Sequence, residues 1–386
     1  MPLTPRRLEP TLRRAARAFP AVIVTGPRRS GKTTLLRRVF PRASYALLED
    51  PDVVARVRAD PRAFLDALRP PAILDEIQNA PELLNYIRAR VDYAPSRKGA
   101  WLLTGSQEAP LMRGVTESMA GRAAILQLWP FSLQEDPRVS WFKGGFPEAL
   151  ARPRGAALWF QSYIQTYLER DVRGLTAVRD LSTFRRFLSL LAGRSGQVLN
   201  KTDIAAPLGV SVPTVGQWLS ILEVTAQVLV VPPYFENFGK RLIKSPKVYF
   251  SDPGLLCHLL GIESPAALAR SPFAGAVFEG FVASELAKAQ LNRGRRRELY
   301  FFRDEQGLEV DFVVPAGPAR LLLLEAKATR TLRPEMGAPL ERLARAVRRY
   351  KTDAVVVGLA SREETFSALR PGVRAASLED LPGLLP

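Results

Sequence analysis

Gly26-Pro27-Arg28-Arg29-Ser30-Gly31-Lys32-Thr33-Thr34 follows a β-branched apolar run, Ala21-Val-Ile-Val-Thr, and opens into a Leu/Arg-rich stretch. Gly-x-x-x-x-Gly-Lys-Thr between a strand and a helix is the spacing of a phosphate-binding P-loop. From Gly26 to Gly31 the backbone must curl so that N–H groups converge on phosphate oxygens, with torsions that glycine tolerates. Lys32 then reaches the β- and γ-phosphates, Thr33 offers its hydroxyl to Mg2+, and the following helix adds its N-terminal dipole. These features point to a bound nucleoside triphosphate. Pro70-Pro-Ala-Ile-Leu-Asp75-Glu76-Ile-Gln78 is a second signature, an apolar strand ending in two carboxylates. At the C-terminal edge of a parallel sheet, Asp75 stands beside the Mg2+ and Glu76 is placed as a general base for water. A kinase does not need the second carboxylate there, so hydrolysis is favoured.

Ala100-Trp-Leu-Leu-Thr104-Gly105-Ser106-Gln107 is a further buried strand whose polar end places a hydroxyl or amide near the γ-phosphate. Arg122 falls on a loop before the strand Ala124–Leu128. It reads either as a finger inserted into a neighbouring subunit's site or as a solvated or helix-capping arginine. Together, Gly26–Thr33, Leu74–Gln78, Leu103–Gln107 and Ala120–Arg122 resemble a family of bacterial and archaeal AAA-type ATPases. Members pair the ATPase with a C-terminal domain without an assigned function. The resemblance runs over nearly the whole chain and implies an α/β core, Mg-ATP hydrolysis and assembly into a ring or other oligomer. It departs from the wider AAA+ pattern where Thr104 and Ser106 stand in for the usual sensor asparagine.

The elements around these motifs come from a chain of 386 residues, long enough for two or three domains. Ser44–Leu48 reads as a strand, and Arg6, Arg7, Arg13, Arg14 and Arg17 lie on a short helix leading into the first strand. The lone Cys257 and lone His258 exclude an internal disulfide, a Cys/His zinc cluster and multi-histidine catalysis. Any metal must therefore be held by oxygen, which favours Mg2+ or Mn2+. No apolar run approaches the ~18 residues of a membrane span, and no secretory signal pattern is seen, so a cytoplasmic protein without a membrane partner is expected. The formal charge of +17, from 55 basic against 38 acidic residues, suggests a polyanionic partner, most simply nucleic acid, and DNA is the partner expected. Arginine-rich usage from genome composition or a hot habitat explains the same excess.

Gly144-Gly145 marks the expected end of the first domain. An amphipathic helix over Trp159–Arg173 and another over Phe184–Leu191 present aromatics and leucines at helical spacing, which reads as core. Lys201–Leu222 reads as helix–turn–helix, with a turn at Gly209, a cap at Ser211 and Pro213 in the first turn of the second helix. Gln227–Pro232 and Tyr234–Lys247 form the expected two-stranded wing. In a DNA-binding reading, Ser211, Thr214, Gln217 and Ser220 lie toward the outer face, while Lys240, Arg241, Lys244 and Lys247 contact phosphates. Winged helices in ATPases also serve as lids or oligomer contacts.

In the last third, Leu299–Arg303, Glu309–Val314 and Leu321–Ala328 are expected strands, preceded by a helix containing Glu279. Leu340–Arg349 and Asp353–Leu359 are the expected helix and strand that complete this α/β unit. Asp311 followed by Glu325-x-Lys327 on the next strand resembles the PD-(D/E)xK site of restriction-endonuclease-like nucleases. Period-two alternation puts Glu325 and Lys327 on one strand face, and the adjacent hairpin strand brings Asp311 beside them. The resemblance makes Asp311, Glu325 and the additional ligand Glu279 holders of Mg2+ or Mn2+, with Lys327 steadying hydroxide or phosphate. A degenerate domain keeps the same residues for packing or DNA binding.

The expected fold is thus α/β throughout. A P-loop AAA-type ATPase domain spans 1–145, a helical linker and winged-helix domain 146–265, and a restriction-endonuclease-like domain 266–386. The expected function is an oligomeric, Mg-dependent ATPase that moves along or remodels DNA, with metal-dependent nuclease activity left open. The alternative is an ATP-controlled regulatory or defence protein whose C-terminal half binds DNA or protein without cutting.

Overall fold

The computed structural model describes residues 4–105, 118–168, 181–234, 245–363 and 368–385. The chain divides into two compact units, residues 1–131 with 224–226 and 291–295, and the remainder.

In the first unit, β1 (Ala21–Thr25), β2 (Ser44–Leu47), β3 (Ala72–Asp75), β4 (Trp101–Thr104) and β5 (Ala123–Gln127) form one sheet in the order β2-β3-β4-β1-β5. Every pairing is parallel. Parallel sheets are covered on both faces, which is why the strands are almost continuously apolar. Alternate residues of β1 divide between two cores. Ala21 and Ile23 pack with Leu83, Leu84 and Ile87 of one helix, while Val22 and Val24 pack with Leu35 and Leu36 of the helix Lys32–Val39. The parallel order brings the C-terminal ends of β1, β3 and β4 to one edge, where Gly26, Asp75 and Thr104 lie.

In the second unit, the helices Leu181–Ala192 and Val212–Val224 share a core in which Phe184, Phe187, Leu188 and Leu191 meet Trp218 and Leu222. The aromatic stripe read as core is buried at Phe160 and Tyr163, on the helix Ala156–Tyr163. The sequence-expected helix extends beyond this one into residues 169–173, which lie outside the described residues. A two-stranded ladder pairs β6 (Val228–Val231) antiparallel to β7 (Lys247–Phe250). A second five-stranded sheet runs in the order β12-β11-β10-β9-β8, from β8 (Tyr300–Arg303), β9 (Glu309–Gly317), β10 (Arg320–Ala326), β11 (Lys351–Gly358) and β12 (Val373–Ser377). β12 had no sequence expectation. The β9–β10 hairpin pairs Phe312 with Leu324, and one step further Asp311 comes opposite Glu325. The helix Ala274–Asn292 carries Glu279.

Gly144-Gly145, expected as a break, is packed inside the second unit. The buried Asp252 carboxylate accepts from the Gly145 N–H at 2.7 Å and from the Leu255 N–H at 3.0 Å. Among the described residues no single helix is long and apolar enough to cross a membrane.

Gly26 has φ +139°, and a Cβ there would meet the Leu128 carbonyl oxygen at 2.1 Å. Gly121 also has positive φ, +72°, yet a Cβ would meet nothing within 4 Å. Backbone strain alone costs about 1–2 kcal/mol; collision with a fixed strand end costs more. Gly26→Ala is therefore expected to lower the melting temperature several-fold more than Gly121→Ala. Paired thermal denaturation curves of the two variants check this.

Candidate functional site

The loop after β1 turns by left-handed backbone at Arg29 (φ +63°) and Gly31 (φ +95°). Ser30 and Lys32 are buried, Thr33 and Arg28 are half-buried, and Arg29 and Thr34 are exposed. The Lys32 ammonium lies against the loop, donating to the carbonyls of Gly26 at 3.1 Å and Pro27 at 3.0 Å. Arg6, read from sequence only as one of several helical arginines, instead precedes the helix Glu9–Ala18 and braces this loop. Its buried guanidinium donates to the Ser30 carbonyl at 2.7 Å and to the Trp129 carbonyl, and stacks 4.7 Å over the Phe131 ring.

Asp75 is 3% exposed and ends β3. Three hydroxyls converge on its carboxylate. Thr33 Oγ1 donates at 2.9 Å, Tyr45 OH donates to Oδ2 at 2.8 Å, and Thr104 Oγ1 donates to Oδ1. Thr104 also accepts from the Glu76 N–H at 3.0 Å. Glu76 is half-buried in the left-handed region (φ +59°), and its carboxylate accepts from Gln78 Nε2. Burial, with the bond to Asp75, pushes the Tyr45 hydroxyl well above the usual phenol range, so it remains a donor. The Arg37 guanidinium lies 5.0 Å over the Tyr45 ring. The structure thus joins Lys32, Thr33, Asp75 and Thr104 at one edge of the sheet, with Glu76 adjacent. Ser106 lies outside the described residues. Tyr45 was missed because nothing in the sequence says that β2 pairs with β3.

Arg122 lies at the other end of the sheet. Its carbonyl accepts from the Ala21 N–H at the start of β1, whereas the phosphate loop leaves the end of that strand. Its guanidinium makes a bidentate pair with Asp92, which holds the Asp92 carboxyl below the usual carboxylate range. Within one chain it does not join the P-loop.

In the second unit, the helical segment Lys201–Leu208 and the helix Val212–Val224 are bent by 111° about a turn in which Gly209 has φ +66°. Ser211 caps the second helix through the Thr214 N–H at 3.2 Å. Ser211, Gln217 and Ser220 are exposed and Thr214 is half-buried. Lys240, Arg241 and Lys244 lie outside the described residues. Lys247, read as a phosphate-contacting wing residue, is instead 3% exposed and sits among carboxylates. The correction has a simple cause: its strand is buried along its whole length.

Those carboxylates belong to the second cluster. The Ala326 N–H donates to Asp311 Oδ2 at 2.9 Å, the Asp311 N–H donates to Glu325 Oε2 at 3.4 Å, and Lys327 Nζ donates to Glu325 Oε1 at 2.6 Å. Lys247 Nζ lies 2.9 Å from Glu279, 2.6 Å from Glu309 and 3.9 Å from Asp311, and Tyr249 OH donates to Glu279. Glu279, Asp311, Glu325 and Lys327 are therefore brought together, joined by Lys247, which was read as a wing residue, and by Tyr249 and Glu309, which carried no signal as site residues. Burial, then repulsion from Asp311, pushes Glu279 up to about 7 and Glu325 up to about 8. Burial also raises Asp311, against the pull of Lys247 and Lys327. Among the described residues, no three His, Cys, Asp or Glu side chains form a group able to hold a metal ion. In this arrangement the expected ligands Glu279, Asp311 and Glu325 are an ion-pair cluster.

Residues 18–136 match a family model described as an AAA domain, residues 134–266 the domain of unknown function DUF8612, and residues 274–373 the domain of unknown function DUF4143. The uncharacterized protein Rv2008c of Mycobacterium tuberculosis is 35% identical over 310 residues, covering 78% of this chain and 69% of that protein. The uncharacterized protein Mb2031c of Mycobacterium bovis matches to the same extent. Among solved structures, the Walker-type ATPase PABY2304 of Pyrococcus abyssi is similar at 16% identity and a TM-score of 0.41, over 65% of this chain and 94% of that one. A single-substitution variant of RuvB from Thermotoga maritima is similar at 15% identity and a TM-score of 0.32, over 58% and 89%. The AAA domain match and the assembled P-loop residues make the chain a P-loop ATP hydrolase.

Hydrogen bonds to charged groups contribute about 1.5–3 kcal/mol, and about 1.4 kcal/mol is tenfold in an equilibrium or rate. Tyr45→Phe is accordingly expected to lower ATP turnover about tenfold while leaving the fold intact. Phosphate release at saturating ATP, with a melting curve alongside, measures both. A second expectation concerns pH. Glu279 and Glu325 take up protons more readily folded than unfolded, so the stability they contribute is full at low pH and is lost as pH rises through about 7 and about 8. The second unit should melt lower at about pH 9 than at about pH 5, and Glu325→Gln should flatten that slope in fluorescence-detected melting.

Proposed function

We propose that the chain, which belongs to the family of the mycobacterial proteins Rv2008c and Mb2031c and carries an AAA domain, is a Mg2+-dependent ATPase that acts on DNA. The observation that carries the ATPase half is the Thr33 hydroxyl set 2.9 Å from the Asp75 carboxylate directly beneath the phosphate loop. That oxygen-only pair fits Mg2+, which when bound neutralises charge on the transferring phosphoryl group. Lys32 leaves the Gly26 and Pro27 carbonyls for the β- and γ-phosphates. Glu76 orients the attacking water, and Thr104, bonded both to Asp75 and to the Glu76 N–H, fixes the distance between the two acids. Arg122, at the far end of its own sheet, acts in the site of a neighbouring subunit in an oligomer.

The DNA half rests on the exposed polar face of the helix Val212–Val224, bearing Gln217 and Ser220 behind the Ser211 cap, and on the +17 charge. Lys240, Arg241 and Lys244 are assigned to phosphates in this reading of the segment as a winged helix. In the C-terminal domain, read as restriction-endonuclease-like, Lys327 is the group that meets a DNA phosphate beside Glu325 and Asp311. The competing reading, that this half binds DNA or protein without cutting, is favoured by one observation: ammonium groups already engage its carboxylates.

Labelled single-stranded, duplex and four-way DNA, incubated with Mg2+ or Mn2+ with and without ATP, tests the proposal against Asp311→Ala and Lys32→Ala. ATP turnover is expected to rise severalfold with DNA and to vanish in Lys32→Ala. Products lost in Asp311→Ala establish cutting. Intact DNA throughout selects binding without cleavage, and turnover indifferent to every DNA removes DNA from the function.

A further inference from the structure

Lys247 begins β7, which pairs with β6 in a two-stranded ladder separate from the sheet that carries Asp311 and Glu325. From there its side chain enters the carboxylate cluster, and 3% of it is exposed. The ammonium lies 2.6 Å from Glu309, 2.9 Å from Glu279 and 3.9 Å from Asp311, and 5.5 Å over the Phe301 ring. Beside it are Tyr249 OH, on its own strand, which donates to Glu279, and Arg303 of β8, whose guanidinium reaches Glu309 at 3.5 Å. Glu325 has its own ammonium, Lys327 at 2.6 Å, which is a third exposed. The cluster therefore holds two different cations. Lys327 is supplied by the strand end that bears Glu325 and opens toward solvent, whereas Lys247 is buried and comes from outside the sheet.

Buried carboxylates without a counter-charge are costly. Asp311 and Glu279, on separate elements, share one counter-charge in Lys247. These are the two groups that, with Glu325, the PD-(D/E)xK resemblance assigns to a divalent cation. They meet an ammonium instead.

We infer that the Lys247 ammonium holds the cation position between Asp311 and Glu279, so that Lys247 and a divalent cation exclude one another and the C-terminal cluster is kept silent by the chain's own side chain. This rests on the reading of Asp311, Glu325 and Lys327 as a functional cluster. It differs from that reading in its consequence: a divalent cation enters the cluster only where the Lys247 ammonium is absent, whether or not DNA is then cut.

The test is Mn2+ binding to the full, nucleotide-free chain, followed by the electron paramagnetic resonance signal of free Mn2+. Lys247→Met is expected to bind Mn2+ about tenfold more tightly than the wild type, the scale of one charged hydrogen bond. Adding Asp311→Asn to Lys247→Met should abolish the gain, and Lys247→Arg, which keeps the charge, should behave as wild type. Should Lys247→Met not fold, Glu309→Gln removes the nearest partner of Lys247 and is expected to tighten Mn2+ binding to a lesser degree. Unchanged Mn2+ affinity in folded Lys247→Met or Glu309→Gln, or a gain that survives Asp311→Asn, overturns the inference. A Lys247→Met protein that gains Mn2+ yet leaves DNA intact sinks the nuclease reading alone.

Discussion

A carboxylate removed from water must be met by donors, and the first unit is organised around that requirement at Asp75. Its three donors come from three different elements: Thr33 from the helix after the phosphate loop, Tyr45 from β2 and Thr104 from β4. Each hydroxyl reaches the same two oxygens only if β2, β3 and β4 keep their parallel register and the helix Lys32–Val39 keeps its position over them. The packing of alternate β1 residues into two cores supplies that rigidity. Arg6 and Gly26 serve the same end from the other side. Arg6 ties the Ser30 carbonyl to the Trp129 carbonyl, and Gly26 lets the loop leave β1 against Leu128. The phosphate loop is thus held between two strand ends.

Thr104 has a second partner, the N–H of Glu76, and Glu76 is one of four non-glycine residues described with positive φ. A left-handed residue after a buried aspartate costs about 1–2 kcal/mol, and such outliers persist where surrounding contacts over-determine them. Here the contacts are visible. Thr104 takes the Glu76 N–H, Gln78 meets the Glu76 carboxylate, and Asn79 Nδ2 donates to the Glu76 carbonyl at 3.2 Å. The turn that aims Glu76 is fixed through the same threonine that fixes Asp75.

How much of this the sequence disclosed follows from how local each feature is. The P-loop was legible because its spacing is confined to consecutive residues, and so were the β9 and β10 strands, whose adjacency in a short hairpin brings Asp311 to Glu325. The Ser211 cap was legible for the same reason. Tyr45 and Arg6 were not, since their roles depend on which strands become neighbours and on a carbonyl 123 positions away. Lys247 misled for a related reason. A lysine near other basic residues in a hairpin reads as surface, and only the burial of β7 against Phe301 and Glu279 reverses that. Gly144-Gly145 read as a linker because glycine pairs punctuate chains, yet the distant Asp252 closes over them.

The two acidic sites solve the same problem with donors of different charge, and that difference has a consequence. At Asp75 all three donors are neutral hydroxyls, so the burial is relieved by hydrogen bonding while the net negative charge stays available to a cation. Thr33 can turn a lone pair toward that cation and keep its proton on Asp75. At Glu279 and Asp311 an ammonium lies 2.9 Å and 3.9 Å away and opposes the carboxylate charge itself, beside the Tyr249 hydroxyl and the Ala326 N–H. A cation arriving at the first site adds an attraction without displacing a charge already there. At the second it must first remove one, leaving Lys247 to find water or another anion. Donor charge, more than the number of carboxylates, is therefore what separates the two buried acidic sites.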